Sequence, residues 1–330
     1  MLEDLGPSFI KLGQIASTRA DVLPADLIEE LKKLQDAVPP LPFETIKGQV
    51  ERSLGAPLTE LFVSFDERPL AAASIAQVHR AQLQTEDGLH DVVVKVQRPG
   101  IASTIASDLD LLHALAALIE RAIPESRIYS PVGLVQQFDH AITSELDFAS
   151  EAENARRFSQ NFADDPRVRF PAVYRQASSK QVITLEYLEG RKIYDAVEAG
   201  YSGQAIARLA LETLVRQIFE DGFFHADPHP GNVLVWGAPQ APKLALIDLG
   251  MVGRLSPRMR DLTVDVIMAA LRRDYEGIAD ALYEIGTPTK KIDMEAYRAE
   301  VALLSERYVG RSLKEVELSS MIRDIVLIKR

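Results

Sequence analysis

The spacing of apolar positions changes along the chain, and with it the expected element type. Over residues 8–20, Leu12 and Ile15 line one stripe, while Lys11 and Gln14, three apart, share a neighbouring face; this predicts a short helix. Pro24 and Asp26 open a second helix in which Leu27, Leu31 and Leu34 recur at helical spacing, and Pro39, Pro40 and Pro42 end it. A third helix is expected from Phe43 to Leu54. Residues 1–57 therefore read as a helical module too small to bury a core of its own, which must pack on the rest of the chain.

The period then shortens to two. Leu61–Phe65 is a strand candidate, and Ile75–Ala81 alternates as a half-buried strand does. A turn at Asp87-Gly88 leads to Asp91–Val96, a valine run that contains Lys95. A lysine buried there is costly unless it is paired or used, whereas at a sheet edge it would reach solvent. Between the first two strands, Pro69-Leu70-Ala71-Ala72-Ala73-Ser74 reads as a loop of small residues.

Helical spacing returns over 101–122, where Leu109, Leu112, Leu115, Leu118 and Ile119 alternate with Asp108, Asp110 and Glu120. These charges favour a core helix over a membrane span, and no uninterrupted apolar run reaches the ~18 residues a span needs. One further helical stretch is expected from Pro131 to about Phe162. Short strands at Val168–Ala172 and Gln181–Leu185 come next, the second running into Glu186-Tyr187-Leu188-Glu189-Gly190, a hinge-like connector. A helix over Gln204–Asp221 and helices over 256–272, 275–285, 293–308 and 318–328 complete the expected elements.

Two stretches carry chemistry. His225-Ala226-Asp227 is followed by four residues and Asn232, and Ala245-Leu246-Ile247 runs into Asp248-Leu249-Gly250. Proline and glycine would make a turn here in any protein. The types, order and spacing of Asp227, Asn232 and Asp248 match something narrower, the kinase catalytic loop and its metal-binding partner. On that reading Asp227 faces the acceptor oxygen, Asn232 and Asp248 hold magnesium, and Lys95 meets the phosphates of ATP. A helix carboxylate must hold Lys95; Glu151 is the first candidate and Glu145 the second, the alternative being a solvated acidic face. Ala71, Ala72, Ala73 and Ser74 stand where a kinase has its glycine-rich loop, and the connector at Glu186 and Leu188 could offer backbone to an adenine edge. No Ala-Pro-Glu occurs after Asp248, so a peptide-docking activation segment has no room.

Bulk properties narrow the class. A chain of 330 residues with 47% hydrophobic composition can build two lobes. A net charge of −11 argues against nucleic acid as a partner. The absence of cysteine excludes disulfides and thiolate chemistry and fits a reducing compartment. The acidic start at Met1-Leu2-Glu3-Asp4 lacks a secretory apolar core.

The chain resembles the UbiB-type atypical kinases. Lys11-Leu12-Gly13-Gln14, Ala71–Ser74 with Gln77-Val78-His79, Val94-Lys95-Val96-Gln97-Arg98-Pro99, Glu145-Leu146-Asp147, Glu151, His225–Asn232 and Asp248-Leu249-Gly250 carry the likeness in family order. It implies an α+β, two-lobed protein-kinase-like fold: the helical module over 1–57, a small lobe with inserted helices over 58–188, and a mostly helical large lobe over 189–330, cut short at its C-terminal end. It also implies that Lys11 and Gln14 occlude the site by contacting Glu145 and Asp147, that Lys95 pairs with Glu151, and that the alanine loop suppresses protein phosphorylation. The activity implied is that of a Mg2+-dependent kinase or ATPase using ATP or ADP, with a lipid or quinone precursor and quinone-biosynthesis proteins as partners. The location implied is cytoplasmic, peripheral at the inner face of the membrane. Rival readings are a small-molecule phosphotransferase of the aminoglycoside or choline kinase type and a nucleotide-gated scaffold without turnover.

Overall fold

A computed structural model describes residues 7–17, 25–31, 38–124, 126, 130–286 and 293–308. The expected helix over 318–328, residues 18–20 and 32–37 of the expected N-terminal helices, and the side chain of Gln14 lie outside the described residues.

Helices α1 (Pro7–Ser17), α2 (Ala25–Leu31) and α3 (Phe43–Leu54) precede a short helical turn, α4 (Leu58–Leu61). The strand expected over Leu61–Phe65 is therefore confined to β1 (Ser64–Phe65). The cause lies at Pro57, whose φ of −58° suits a helix start, and at Glu51, whose Oε1 accepts the Leu58 N–H at 2.9 Å. Two alanines expected in a loop form β2 (Ala71–Ala72), which pairs with β3 (Ala76–Thr85); β3 pairs in turn with β4 (Gly88–Gln97). With β6 (Val182–Glu186) these strands make a five-stranded antiparallel sheet in the order β1-β3-β4-β6, with β2 beside β3. Val92, Val94 and Val96 point to a core shared with Ile46 and Val50 of α3. The pleat sends Lys95 to the opposite face.

Helix α7 (Phe148–Asn161) packs on that face, while α5 (Ile101–Ala122) and α6 (Pro131–Glu145) pack with each other and with α1. The single helical stretch expected from Pro131 is thus two helices. Asp147 breaks it: its Oδ1 accepts the N–H groups of Ala149 at 3.1 Å and Ser150 at 3.3 Å, capping α7, while Gln97 Nε2 donates to the Leu146 carbonyl at 2.5 Å. Helix α5 is long and apolar enough to cross a membrane by length and composition. Its Ile101, Ile105, Leu109 and Leu112 nevertheless pack with Phe138 and Ile142 of α6 and with Phe9 and Leu12 of α1, while Leu111, Leu115 and Leu118 are exposed.

Helix α7 belongs to both lobes. Phe148 packs with Ile183 and Leu185 of β6, whereas Ala155 and Phe158 enter the large-lobe core with Phe223 and Leu249. The large lobe contains a sheet ordered β5 (Val168–Arg169), β10 (Ala241–Leu246), β9 (Val233–Ala238), β7 (Arg191–Lys192), and a small pair, β8 (Phe223–His225) with β11 (Val252–Arg254). Gly190 joins the lobes where a Cβ would lie 2.8 Å from that of Leu234. Helices α8 (Ile193–Glu198), α9 (Gly203–Val215), α10 (Pro257–Arg272), α11 (Tyr275–Ile285) and α12 (Met294–Tyr308) cover the rest. The helix expected to Asp221 stops at Val215 and continues as a π turn over Arg216–Asp221.

Candidate active site

Lys95 reaches from β4 across the sheet face to α7. Its Nζ donates to Glu151 Oε2 at 2.9 Å and Oε1 at 3.1 Å and lies 3.7 Å from Asp248 Oδ2. Glu151 is almost wholly buried, so its unpaired charge would be costly. Of the two carboxylates considered for Lys95, the structure brings Glu151 to it. Glu145 instead faces Lys11, with Lys11 Nζ 3.2 Å from Glu145 Oε2.

The charges shift one another. Burial opposes the Lys95 ammonium, but Asp248 and Glu151 outweigh it and hold Lys95 above its ordinary pKa. Burial pushes Glu151 up against the opposing pull of Lys95. Asp248 is held below the usual carboxylate range by Lys95, although burial resists this.

The large lobe supplies the other wall. Strand β8 ends at His225, whose backbone N–H donates to Gln217 Oε1 at 3.0 Å and whose Nδ1 accepts the Asp227 N–H at 3.1 Å. A buried imidazole thereby fixes the start of the loop, and burial lowers its pKa against the pull of Asp248 and Asp227. A 3-10 turn at Pro230–Asn232 places the Asn232 carboxamide 3.2 Å from the Asp227 carbonyl and 3.4 Å from its Oδ2. Gly231 lets the His229 ring fold back over the turn: its N–H donates to His229 Nδ1 at 2.9 Å, and a Cβ would lie 2.4 Å from His229 Cε1, so a larger residue would displace that ring. The turn after β10 directs Asp248 inward, with its Oδ1 accepting the Gly250 N–H at 3.2 Å.

Lys11, Ala73, Ser74, Lys95, Glu145, Glu151, Asp227, Asn232 and Asp248 all line one cavity of about 80 Å3. Ala71 and Ala72 are committed to β2 and do not line it. Asp147 caps α7 instead. Glu186 is ion-paired with Arg169 and Leu188 is buried, and neither side chain lines the cavity. Among the described residues no group of three His, Asp or Glu side chains forms a metal cage. The donors present, two carboxylates and a carboxamide facing open space, suit a hard cation that keeps other oxygen ligands, as Mg2+ does.

Three positioning side chains were assigned no role from the pattern. Buried Asn154 donates from Nδ2 to the Leu249 carbonyl at 3.0 Å, tying α7 to the Asp-Leu-Gly segment. Gln97 pins the start of α7, and Gln217 holds His225. Each is a polar residue within an otherwise helical or strand pattern, and this was the available signal.

The chain is similar to known proteins in sequence and in fold. The ABC1 atypical kinase-like domain matches residues 33–282. The chain is 40% identical over 325 residues to a probable protein kinase UbiB of Marinobacter nauticus, covering 97% of this chain and 59% of that protein. It is 38% identical to an uncharacterized Synechocystis protein, covering 98% of this chain and 55% of that one, so it spans little more than half the length of these relatives. A solved Mycobacterium tuberculosis protein in complex with erythromycin superposes with a TM-score of 0.60 at 24% identity, over 96% of this chain and 86% of that one, and shares the fold. The chain thus belongs to the ABC1 atypical kinase-like family, among its UbiB-type members.

Proposed function

We propose that the protein binds ATP with Mg2+ and transfers or hydrolyses its terminal phosphoryl group, in support of isoprenoid-quinone or lipid metabolism rather than protein phosphorylation. The observation that carries the reading is the convergence of Lys95, Glu151, Asp227, Asn232 and Asp248 on one cavity from elements far apart in the chain. On this reading Glu151 orients Lys95 toward the α and β phosphates. Asp248 and the carboxamide oxygen of Asn232 would hold Mg2+, which neutralises phosphate charge when bound. Asp227 accepts the proton of the attacking hydroxyl or water. The connector at Glu186 and Leu188 offers its backbone to the adenine.

The cavity of about 80 Å3 is well below the ~300–1,000 Å3 of ordinary small-molecule pockets. Nucleotide entry therefore requires its lining to move, and the Lys11–Glu145 pair is the contact to open. Residues 1–57 then act as a closing module on the two lobes. The quinone or lipid acceptor and a peripheral membrane location rest on family membership.

The test is ATP turnover by the purified protein beside Asp227→Asn and Lys95→Ala. Turnover should fall by at least roughly a hundredfold in both. Undiminished turnover in both variants overturns the assignment.

A further inference from the structure

The geometry points to Arg98 as the positioning residue for the alanine turn that roofs the phosphate end of the site. This rests on the nucleotide reading above and adds how the roof is held. The turn links β2 to β3, and its Ala73, Ser74 and Ile75 line the cavity. A glycine-rich loop at this place can close on phosphate because its backbone is free to adapt. Here the turn is fixed from outside. Arg98 Nε donates to the Ala73 carbonyl at 2.8 Å, and the Arg98 backbone N–H donates to the Ile75 carbonyl at 2.9 Å. One residue just beyond β4 thus grips both sides of Ser74.

The same guanidinium reaches a second segment. Its second terminal nitrogen donates to the Pro39 carbonyl at 2.9 Å, in the stretch that connects the first two helices to α3. That stretch is stitched to the hairpin on either side of Pro39. The Val38 N–H donates to the Ala72 carbonyl at 3.3 Å, and the Leu41 N–H donates to Gln77 Oε1 at 2.8 Å. Buried Gln77 is itself held, with its Nε2 2.9 Å from His79 Nε2, while His79 Nδ1 lies 2.7 Å from the Asp66 carbonyl. Arg98 is therefore where strand, roof and linker meet. The planar fork suits this task, since two carbonyls from separate segments are bound by different nitrogens held at a fixed spacing, which the single nitrogen of a lysine does not provide.

The consequence is a roof whose height is set by the protein. The Ala73 backbone is presented to the phosphates at a fixed position, and displacement of the 38–41 linker moves it. Losing the clamp should weaken nucleotide binding while leaving Lys95, Asp227, Asn232 and Asp248 in place. KM for ATP should therefore rise with little change in kcat.

The experiment compares full-length wild type, Arg98→Met and Arg98→Lys by amide hydrogen exchange and by ATP kinetics. In Arg98→Met, exchange at the Val38 and Ala73 amides should accelerate at least roughly tenfold, while Val94 within the sheet stays protected. KM for ATP should rise roughly tenfold with kcat within about twofold, the scale of one lost charged hydrogen bond. Arg98→Lys should fall between, and unchanged Val94 protection in it shows that the fold persists. Unaltered exchange at Ala73 overturns the inference. So does accelerated exchange with wild-type KM, because the roof would then be irrelevant to nucleotide. If wild type itself turns over no ATP, the functional proposal and the roof's nucleotide role both fail, while the exchange data still decide whether Arg98 holds the turn.

Discussion

The two walls of the site are built differently. The small-lobe wall is assembled and dry: Glu151 is 3% exposed, and both of its carboxylate oxygens lie within 3.1 Å of the Lys95 ammonium. The helix carrying Glu151 is held at its start by Gln97 and further along by Asn154. The large-lobe wall is wetter and looser. The Asp227 and Asp248 side chains are 41% and 47% exposed, and the nearest contacts of their Oδ2 atoms to charged or amide groups lie between 3.4 and 3.7 Å. A buried ion pair must satisfy itself within the fold, because nothing else can. Exposed carboxylates with open coordination are what a divalent cation and a phosphate chain would complete. The first wall is therefore a structural commitment as well as a functional one, and the second a functional one almost alone.

The sharpest way to break this contrast is Lys95→Ala. It should abolish turnover and also destabilise the fold by about 3–5 kcal/mol, since two carboxylates lose their common cation. Urea unfolding at pH 8 should show the full loss. Burial already raises the Glu151 pKa, so the folded variant binds a proton more readily than the unfolded chain, and its deficit should shrink as pH is lowered toward 5. An equal deficit at both pH values contradicts the account of this wall.

Asp248→Asn should separate the two walls. Turnover should fall roughly 10²–10³-fold, while stability falls less than in Lys95→Ala, because Glu151 still pairs with the buried ammonium. A large loss of stability would show that the second wall is structural too.

A smaller effect concerns pH. His225 and His79 both titrate below the ordinary imidazole value because they are buried. The unfolded chain therefore binds more protons than the folded one just below about pH 6.5, and stability falls as pH drops through that value. Denaturant midpoints between pH 7.5 and 5.5 should decline, and His79→Gln should flatten part of the slope. The smallest effect is expected from Ala73→Gly. Nucleotide affinity should shift by a few-fold, because the backbone gains freedom to approach phosphate at a conformational cost of about 0.5–1 kcal/mol. Indistinguishable affinities and autophosphorylation would count against the roof's influence.

The wall most visible in the sequence was the exposed one. Asp227, Asn232 and Asp248 sit in short loops at a spacing that the pattern alone picked out, and the structure brings all three to one cavity. Lys95 was legible because an ammonium within a valine run has few stable fates. The means of holding these groups was less legible. The break at Asp147 was hidden because capping depends on one carboxylate reaching two amides, and residues 131–162 otherwise keep helical spacing throughout. Gln97, Asn154 and Arg98 act through backbone carbonyls brought close only by tertiary folding, and no periodicity records such contacts. Leu61–Phe65 failed for a similar reason, since Glu51 completes a helical turn seven positions later.

The most direct measurement is calorimetric titration of ATP into wild type and Asp248→Asn, each with and without Mg2+. The account predicts tight binding by wild type only when Mg2+ is present, and loss of that Mg2+ dependence in the variant. Equal binding by both proteins, indifferent to the metal, would contradict the claim that the open acidic wall exists to hold a cation against phosphate.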